Sequence, residues 1–435
     1  MTYPLVVGPV VGDEAELPAM FEVRQHFDVL PAVDVLAALG EEWSRAKAPL
    51  SALASGASIA VAVGSRGIAD IAVLIRGIVE RLREAGCEPF VVPAMGSHGG
   101  ATAAGQTEVL AHLGVTEAAV GAPVRATMDV VSLGEVEGIP LFLDRFAWEA
   151  DGIILVNRVK PHTDFVGPIE SGLMKQLVIG LGNQAGAEHY HRLGVVRGMA
   201  ETVPAAARAL MDRVNVVFGV ALVENEDHRT AVVRVVAPAE LEEAESELLE
   251  LARRHLPGLP LDDIDLLILD EIGKDISGSG LDPNVTGRNV ISWSARRARP
   301  RVLRIFVRGL TAVSEGNAAG VGNADAVTTR LVDQLNGAAT AVNGLTSCSP
   351  DDVRIPLVFA CDRDAVFALL TTIRPTTPDN VRVVYARTTL DVERLWVSAG
   401  CLDYLAPPPA VVVDPALRRL PFDAAGNLMS PFTGA

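Results

Sequence analysis

Apolar residues in this chain come in short continuous runs that stop at glycine or proline, and each run is followed by a helical pattern. Residues 58 to 63, SIAVAV, end in GSRG and lead into IADIAVLIRGIVERLREAG. The spacing predicts strand, loop and helix. The unit recurs as EPFVVP at 88 to 93, loop AMGSHGGAT and helix TAAGQTEVLAHLG. It recurs again as DGIILVN at 151 to 157, the long loop RVKPHTDFVGPIESG and helix LMKQLVIGL. Strands this apolar, alternating with helices, predict a parallel sheet covered on both faces. Between 214 and 236, VNVVFGVALV, the turn-like ENEDH and TAVVRVV predict an antiparallel hairpin on the edge of the same sheet, followed by the acidic helix AELEEAESELLELARRH.

The stretch LPGLPLDD at 256 to 263 breaks that helix and marks a domain boundary before a new strand, DLLILD, at 265 to 270. Beyond it the alternation resumes with VLRIFV at 302 to 307, a helix near 325 to 336, IPLVFA at 355 to 360, a helix from Asp364, VRVVYA at 381 to 386 and a helix from Asp391. The Pro-rich tail from APPPAVVVDP onward is expected to pack back over the body. The expected architecture is two α/β domains with mostly parallel sheets, residues 1–256 and 264–435, and an active site in the cleft between them.

Length and composition narrow the class. The 435 residues allow two or three domains at roughly 150 residues each. Lys and Arg total 37 against 54 Asp and Glu, a formal charge of −17, so nucleic acid and anionic membrane surfaces are not expected partners. Cys87, Cys348, Cys361 and Cys401 are scattered with no C-x-x-C pair, which suits a reducing cytoplasm. The N-terminus lacks a basic n-region, and no apolar run reaches the ~18 to 20 residues of a membrane span. A cytoplasmic protein is expected.

Ligands of open α/β sheets bind beyond the carboxyl ends of the strands. Ser65 and Arg66 follow the first strand, His98 the second, and Lys160 and His162 the third. Each has a plainer alternative: His98 as a turn residue between glycines, His162 as a solvated loop residue. Lys175, if LMKQLVIGL is helical, has Ser171, Gly172, Val178 and Ile179 one turn away. Partial desolvation there would depress its pKa and favour a nucleophilic amine; on local sequence alone, a snorkelling lysine is the favoured alternative. In AEHYH, a helix would send the rings of His189 and His191 apart, and the preceding IGLGNQAGAE lacks strand alternation. One metal ligand is expected there, not two. His26, His112, His228 and His255 have no partner visible in the sequence. In the second domain Glu271 and Lys274 sit at the mouth of DLLILD, in a loop whose Gly273, Gly278 and Gly280 allow close backbone approach to a ligand.

Taken together, the S-R-G loop, the G-S-H-G-G loop, the K-P-H segment, Lys175 and the later histidine resemble the lactate racemase family, along nearly the whole chain. The resemblance implies two α/β domains around a nickel-pincer nucleotide, the nickel complex of a pyridinium-3-thioamide-5-thiocarboxylic acid mononucleotide. It places the covalent cofactor attachment on Lys175 and the metal-completing imidazole on His191 rather than His189, by the interval between them. It places the two catalytic histidines at His98 and His162, and substrate or cofactor-phosphate contacts at Arg66 and Lys274. Ser65, Gly67 and Glu271 fall among the cofactor-binding positions. Enzymes that synthesise the cofactor are then implied upstream.

The implied reaction is racemisation or epimerisation of a 2-hydroxy acid, an isomerase chemistry. Hydride leaves the carbinol carbon and returns to the other face of a planar keto acid, with two histidines as alternating acid and base. The chain departs from the family where Val63 stands for an acidic residue, Gly67 for a proline, Gly99 and Gly100 for arginine and proline, and Glu271 for an amide. These positions face substrate, and the glycines are expected to enlarge the pocket for a 2-hydroxy acid larger or more polar than lactate. Three other readings stand beside this one: a Schiff-base keto-acid lyase or aldolase using Lys175, a zinc hydrolase with His98, His162 and His191 as ligands, and a non-enzymatic binder of small acids.

Overall fold

A computed structural model describes residues 6–10, 12–65, 67–294, 299–373 and 376–432. Arg66 lies outside them. The chain is α/β with mostly parallel sheets. Its strands in order are β1 (Val6–Val7), β2 (Met20–Gln25), β3 (Ser58–Val63), β4 (Glu88–Pro93), β5 (Val130–Val136), β6 (Ile139–Asp144), β7 (Gly152–Arg158) and β8 (Val216–Glu224). There follow β9 (Thr230–Val236), β10 (Asp263–Ile272), β11 (Arg301–Leu310), β12 (Ala326–Thr328), β13 (Leu357–Phe359), β14 (Val383–Ala386), β15 (Arg394–Ser398) and β16 (Val411–Val413).

The unit Asp28–Leu256 is built on the sheet β4-β3-β7-β8-β9. The first four of these strands are parallel and β9 closes the edge antiparallel to β8, as the apolar runs and the hairpin pattern predict. β3 is buried along nearly its whole length because helices cover both its faces. Ile59, Val61 and Val63 pack on one side with Leu74, Ile75 and Ile78 of the helix Ile71–Glu84. The local signals are ordinary ones: Thr102 caps the helix Ala103–His112 through the Gly105 N–H at 3.1 Å. The hairpin β5-β6 is an addition that the sequence pattern does not predict.

The second unit comprises Met1–Phe27 and Pro257–Ala435, so the expected first domain is corrected at its start. β1 pairs with β13, and β2 lies between β15 and β16, giving the nine-stranded order β1-β13-β12-β11-β10-β14-β15-β2-β16. The tail does pack back, as β16 on β2. Two helices also need correction. The one expected from Asp391 is β15: Thr388 Oγ1 takes the N–H groups of Leu390 and Asp391 in a turn. Leu395 and Val397 then face one core cluster and Trp396 the other, the alternation of a strand. The one near 325 opens as β12 and turns helical only over Thr329–Gln334.

Under the tail of this unit, the buried Arg308 guanidinium bonds Asp362 at 2.9 Å, the Tyr385 hydroxyl at 2.8 Å, Asp270 and the Leu428 carbonyl. Among the described residues, no helix is long and apolar enough to cross a membrane.

Candidate active site

The loops after β3, β4 and β7 leave adjacent parallel strands of one sheet at their carboxyl ends. Backbone contacts bind them together. Gly96, after β4, donates its N–H to the Gly180 carbonyl at 3.0 Å, at the end of the segment that carries Lys175. A side chain at Gly64, after β3, would start 3.1 Å from Asn157 Oδ1 of β7. Gln176, next to Lys175, donates to the carbonyls of Ala62 and Val156 at 3.2 and 2.9 Å, tying the lysine segment to β3 and β7 at once. That segment is one α-turn, Leu173–Lys175, opening into a wider π-turn, Gln176–Gly180, a distortion often found at functional sites.

Two histidine pairs follow. After β3 and β4, Ser65 Oγ is hydrogen-bonded to His98 Nδ1 and orients an otherwise exposed ring. After β7, Lys175 Nζ is hydrogen-bonded to His162 Nε2. The His162 ring stacks on Phe165, with centroids 4.4 Å apart, and its Nδ1 accepts the Asp164 N–H at 2.9 Å. That second bond fixes the tautomer. With Nδ1 used as an acceptor, the proton of a neutral ring sits on Nε2, and Nε2–H can donate to Lys175 only through the lone pair of an uncharged amine.

The helix Asn183–Arg197 carries His189 and His191 and sends their rings apart, as expected for a helical pair. His189 is exposed, bonds the Ala185 carbonyl at 2.9 Å and lies against Phe142. His191 turns inward, and its Nδ1 is buried with only a weak contact to the Ala187 carbonyl one turn back. Burial first, and the nearby Lys175 amine when protonated second, push its pKa down to about 4, so the ring is neutral at neutral pH with a lone pair to offer. A buried, neutral imidazole near the Lys175 amine suits a metal-bearing group that is fixed on that lysine and needs one protein ligand.

The three-histidine zinc centre is not supported: among the described residues, no three His, Cys, Asp or Glu side chains assemble as a metal site. The expectation for the glycines is also corrected in part. Gly67 and Gly100 do face open space, but a side chain on Gly99 would start 2.5 Å from the backbone of Gly105 and Gln106, and its φ of +66° favours glycine. Gly99 serves the approach of the following helix and does not widen a pocket. In the other unit, Lys274 Nζ donates to the Gly278 carbonyl of its own loop at 2.5 Å and its N–H to Ser314 Oγ at 2.9 Å. Burial raises the Glu271 pKa.

Sequence reasoning missed the helix Leu241–Arg254, read only as acidic. Its Glu245 accepts the Met174 N–H at 2.9 Å, at the head of the lysine turn. Its Arg253 holds Glu170, whose other oxygen accepts the His162 N–H at 2.5 Å. The signal available was Glu245 on the apolar side of an amphipathic helix, between Leu241, Leu248 and Leu249.

The family model described as Domain of unknown function (DUF362) matches residues 65–237, a span that holds Ser65, His98, His162, Lys175 and His191. No curated protein matches the chain. Among solved structures, the chain is similar to the lactate racemase apoprotein from Thermoanaerobacterium thermosaccharolyticum, at 12% identity and a TM-score of 0.43, over 75% of this chain and 73% of that one. A likeness at that level assigns no residue a role.

The buried Glu245 carboxyl yields a pH prediction. Burial raises its pKa to about 7 from an ordinary 4.5. A raised acid contributes stability that is fully present below its unfolded pKa and lost as pH rises through the folded one. Relative to Glu245→Gln, the wild-type chain should lose up to about 3 kcal/mol between pH 4.5 and 7. Urea unfolding of both proteins across that range checks this, and parallel stability curves would contradict it.

Proposed function

We propose that the chain is an isomerase, a racemase or epimerase of a 2-hydroxy acid that works with a lysine-tethered nickel-pincer nucleotide. The observation that carries the reading is the Lys175 amine hydrogen-bonded to His162 Nε2, near the buried, neutral imidazole of His191. Lys175 would hold the group covalently, and His191 would complete its metal. Bound there, the group would supply the acceptor for the carbinol hydrogen.

The chain's own share of the reaction is proton transfer and positioning. His98 and His162 serve one hand of the substrate each, and His162 can exchange the hydroxyl proton at Nε2 only after that nitrogen is released from Lys175, as tethering the amine would do. Ser65 and Phe165 keep the two rings oriented, so little reorientation is needed at the moment of transfer. Arg66, which follows Ser65 in the sequence, would pair with the substrate carboxylate. Lys274 and Glu271, in the other unit, take no step in this scheme. The open surroundings of Gly67 and Gly100 favour a 2-hydroxy acid larger or more polar than lactate.

The test is the intact mass of the chain made together with the cofactor's biosynthetic enzymes. A covalent increment on Lys175 that is absent from Lys175→Ala is expected; an increment that survives and moves to another lysine would contradict the assignment. Loaded protein given a panel of enantiopure 2-hydroxy and aldonic acids should prefer a member other than lactate, and lactate as the best substrate would contradict the substrate assignment. One observation favours a second reading. A neutral lysine hydrogen-bonded to a histidine is also the arrangement of a Schiff-base enzyme, in which the amine condenses with a keto acid to give an imine and water. Borohydride trapping of pyruvate on Lys175 in the unloaded chain would favour it over the isomerase.

A further inference from the structure

The helix Leu241–Arg254 touches the site only from behind, yet it meets both halves of the Lys175–His162 pair. Glu245 and Arg253 are eight residues apart, which puts them on one face about 12 Å apart along the axis. At the first position, Glu245 Oε2 accepts the Met174 N–H at 2.9 Å, while Oε1 is buried without a partner among the described residues. Gly172, just before the turn, makes this approach possible: a side chain there would start 2.3 Å from Oε1. At the second position, Arg253 Nη2 donates to Glu170 Oε1 at 2.5 Å and to the Gly167 carbonyl at 2.7 Å.

Glu170 is only 1% exposed and organises the loop from inside. Its Oε1 also accepts the Gly167 N–H at 2.9 Å, and its Oε2 accepts the His162 N–H at 2.5 Å. The lysine turn is therefore held through its backbone by one carboxylate, and the histidine through its backbone by another. Both are referred to the same rigid helix. Glu245 reaches the lysine turn through the Met174 N–H, and Arg253 reaches the histidine through Glu170.

We propose that Glu245 and Arg253 are positioning residues that set the distance between Lys175 Nζ and His162 Nε2. This rests on the reading of those two groups as the reactive pair. Buried carboxylates paired to backbone donors and to an arginine resist displacement, because breaking either contact strands a buried polar group. The helix thus transmits its rigidity to two side chains that come from different segments.

The chain has four lysines, at 47, 160, 175 and 274, which makes the test direct. The full chain, without added cofactor, is treated with limiting acetic anhydride at pH 7.5, and acetylation of Lys175 is followed by peptide mass spectrometry relative to the exposed Lys47. Disengaging the amine from the imidazole returns it to a solvated ammonium, so Glu245→Ala and Arg253→Ala should each slow Lys175 acetylation about threefold or more. Glu245→Gln keeps an acceptor for the Met174 N–H and should restore the rate. A Lys175 rate unchanged in folded alanine variants overturns the proposal. If circular dichroism shows those variants unfolded, Glu245→Asp and Arg253→Lys decide instead, with slowing expected and an unchanged rate contrary. Slowed acetylation without a covalent increment on loading would remove the isomerase reading and spare the positioning role; an increment with unchanged acetylation would do the reverse.

Discussion

A single hydrogen bond, from His162 to the Lys175 amine, constrains everything around it. A lysine amine, ordinarily cationic at neutral pH, can meet an Nε2–H donor only if it is kept uncharged, and the Asp164 N–H on Nδ1 places the ring proton on Nε2. The imidazole becomes the donor and the amine the acceptor. Holding that contact requires two segments from different parts of the loop to meet within a few tenths of an ångström. The neighbouring residues are spent on this: Gln176 on the carbonyls of β3 and β7, Asn157 Nδ2 on the Gly172 carbonyl at 3.0 Å, and Glu170 on the backbone of His162.

The same constraint accounts for the state of His191. Burial is the first cause that lowers its pKa to about 4, and a charge on the lysine, whenever it is present, lowers it further. The region therefore presents lone pairs, not positive charge, on Lys175 and His191. That is a surface suited to covalent attachment and to metal ligation.

Much of this arrangement is legible in the sequence because it is local. The runs 58 to 63, 88 to 93 and 151 to 157 are apolar enough to identify buried parallel strands, and a parallel sheet places the loops that follow them on one edge. The lack of strand alternation before His189 is enough to separate its ring from that of His191. What escaped was long-range or cancelled locally. The apolar alternation of Arg394–Ser398 was masked by the turn residues before it. The pairing of β2 with β15 joins positions as far apart as Arg24 and Arg394, 370 residues, and leaves no trace in either segment. Glu245 looks like one more acidic residue on an acidic helix until its packing against Gly172 is seen. Gly99 looks like a wider pocket until the backbone of Gly105 is found against it.

The claim that most depends on this chemistry is the protonation pattern of the Lys175–His162 pair. Long-range proton–nitrogen NMR of the chain labelled with nitrogen-15 histidine, at pH 7.5, with His162→Gln to assign the signal, reads it directly. The account predicts a neutral His162 ring protonated on Nε2, with Nδ1 in its unprotonated form. A ring protonated on Nδ1 alone, or on both nitrogens, would mean that the lysine is not the acceptor and would contradict it.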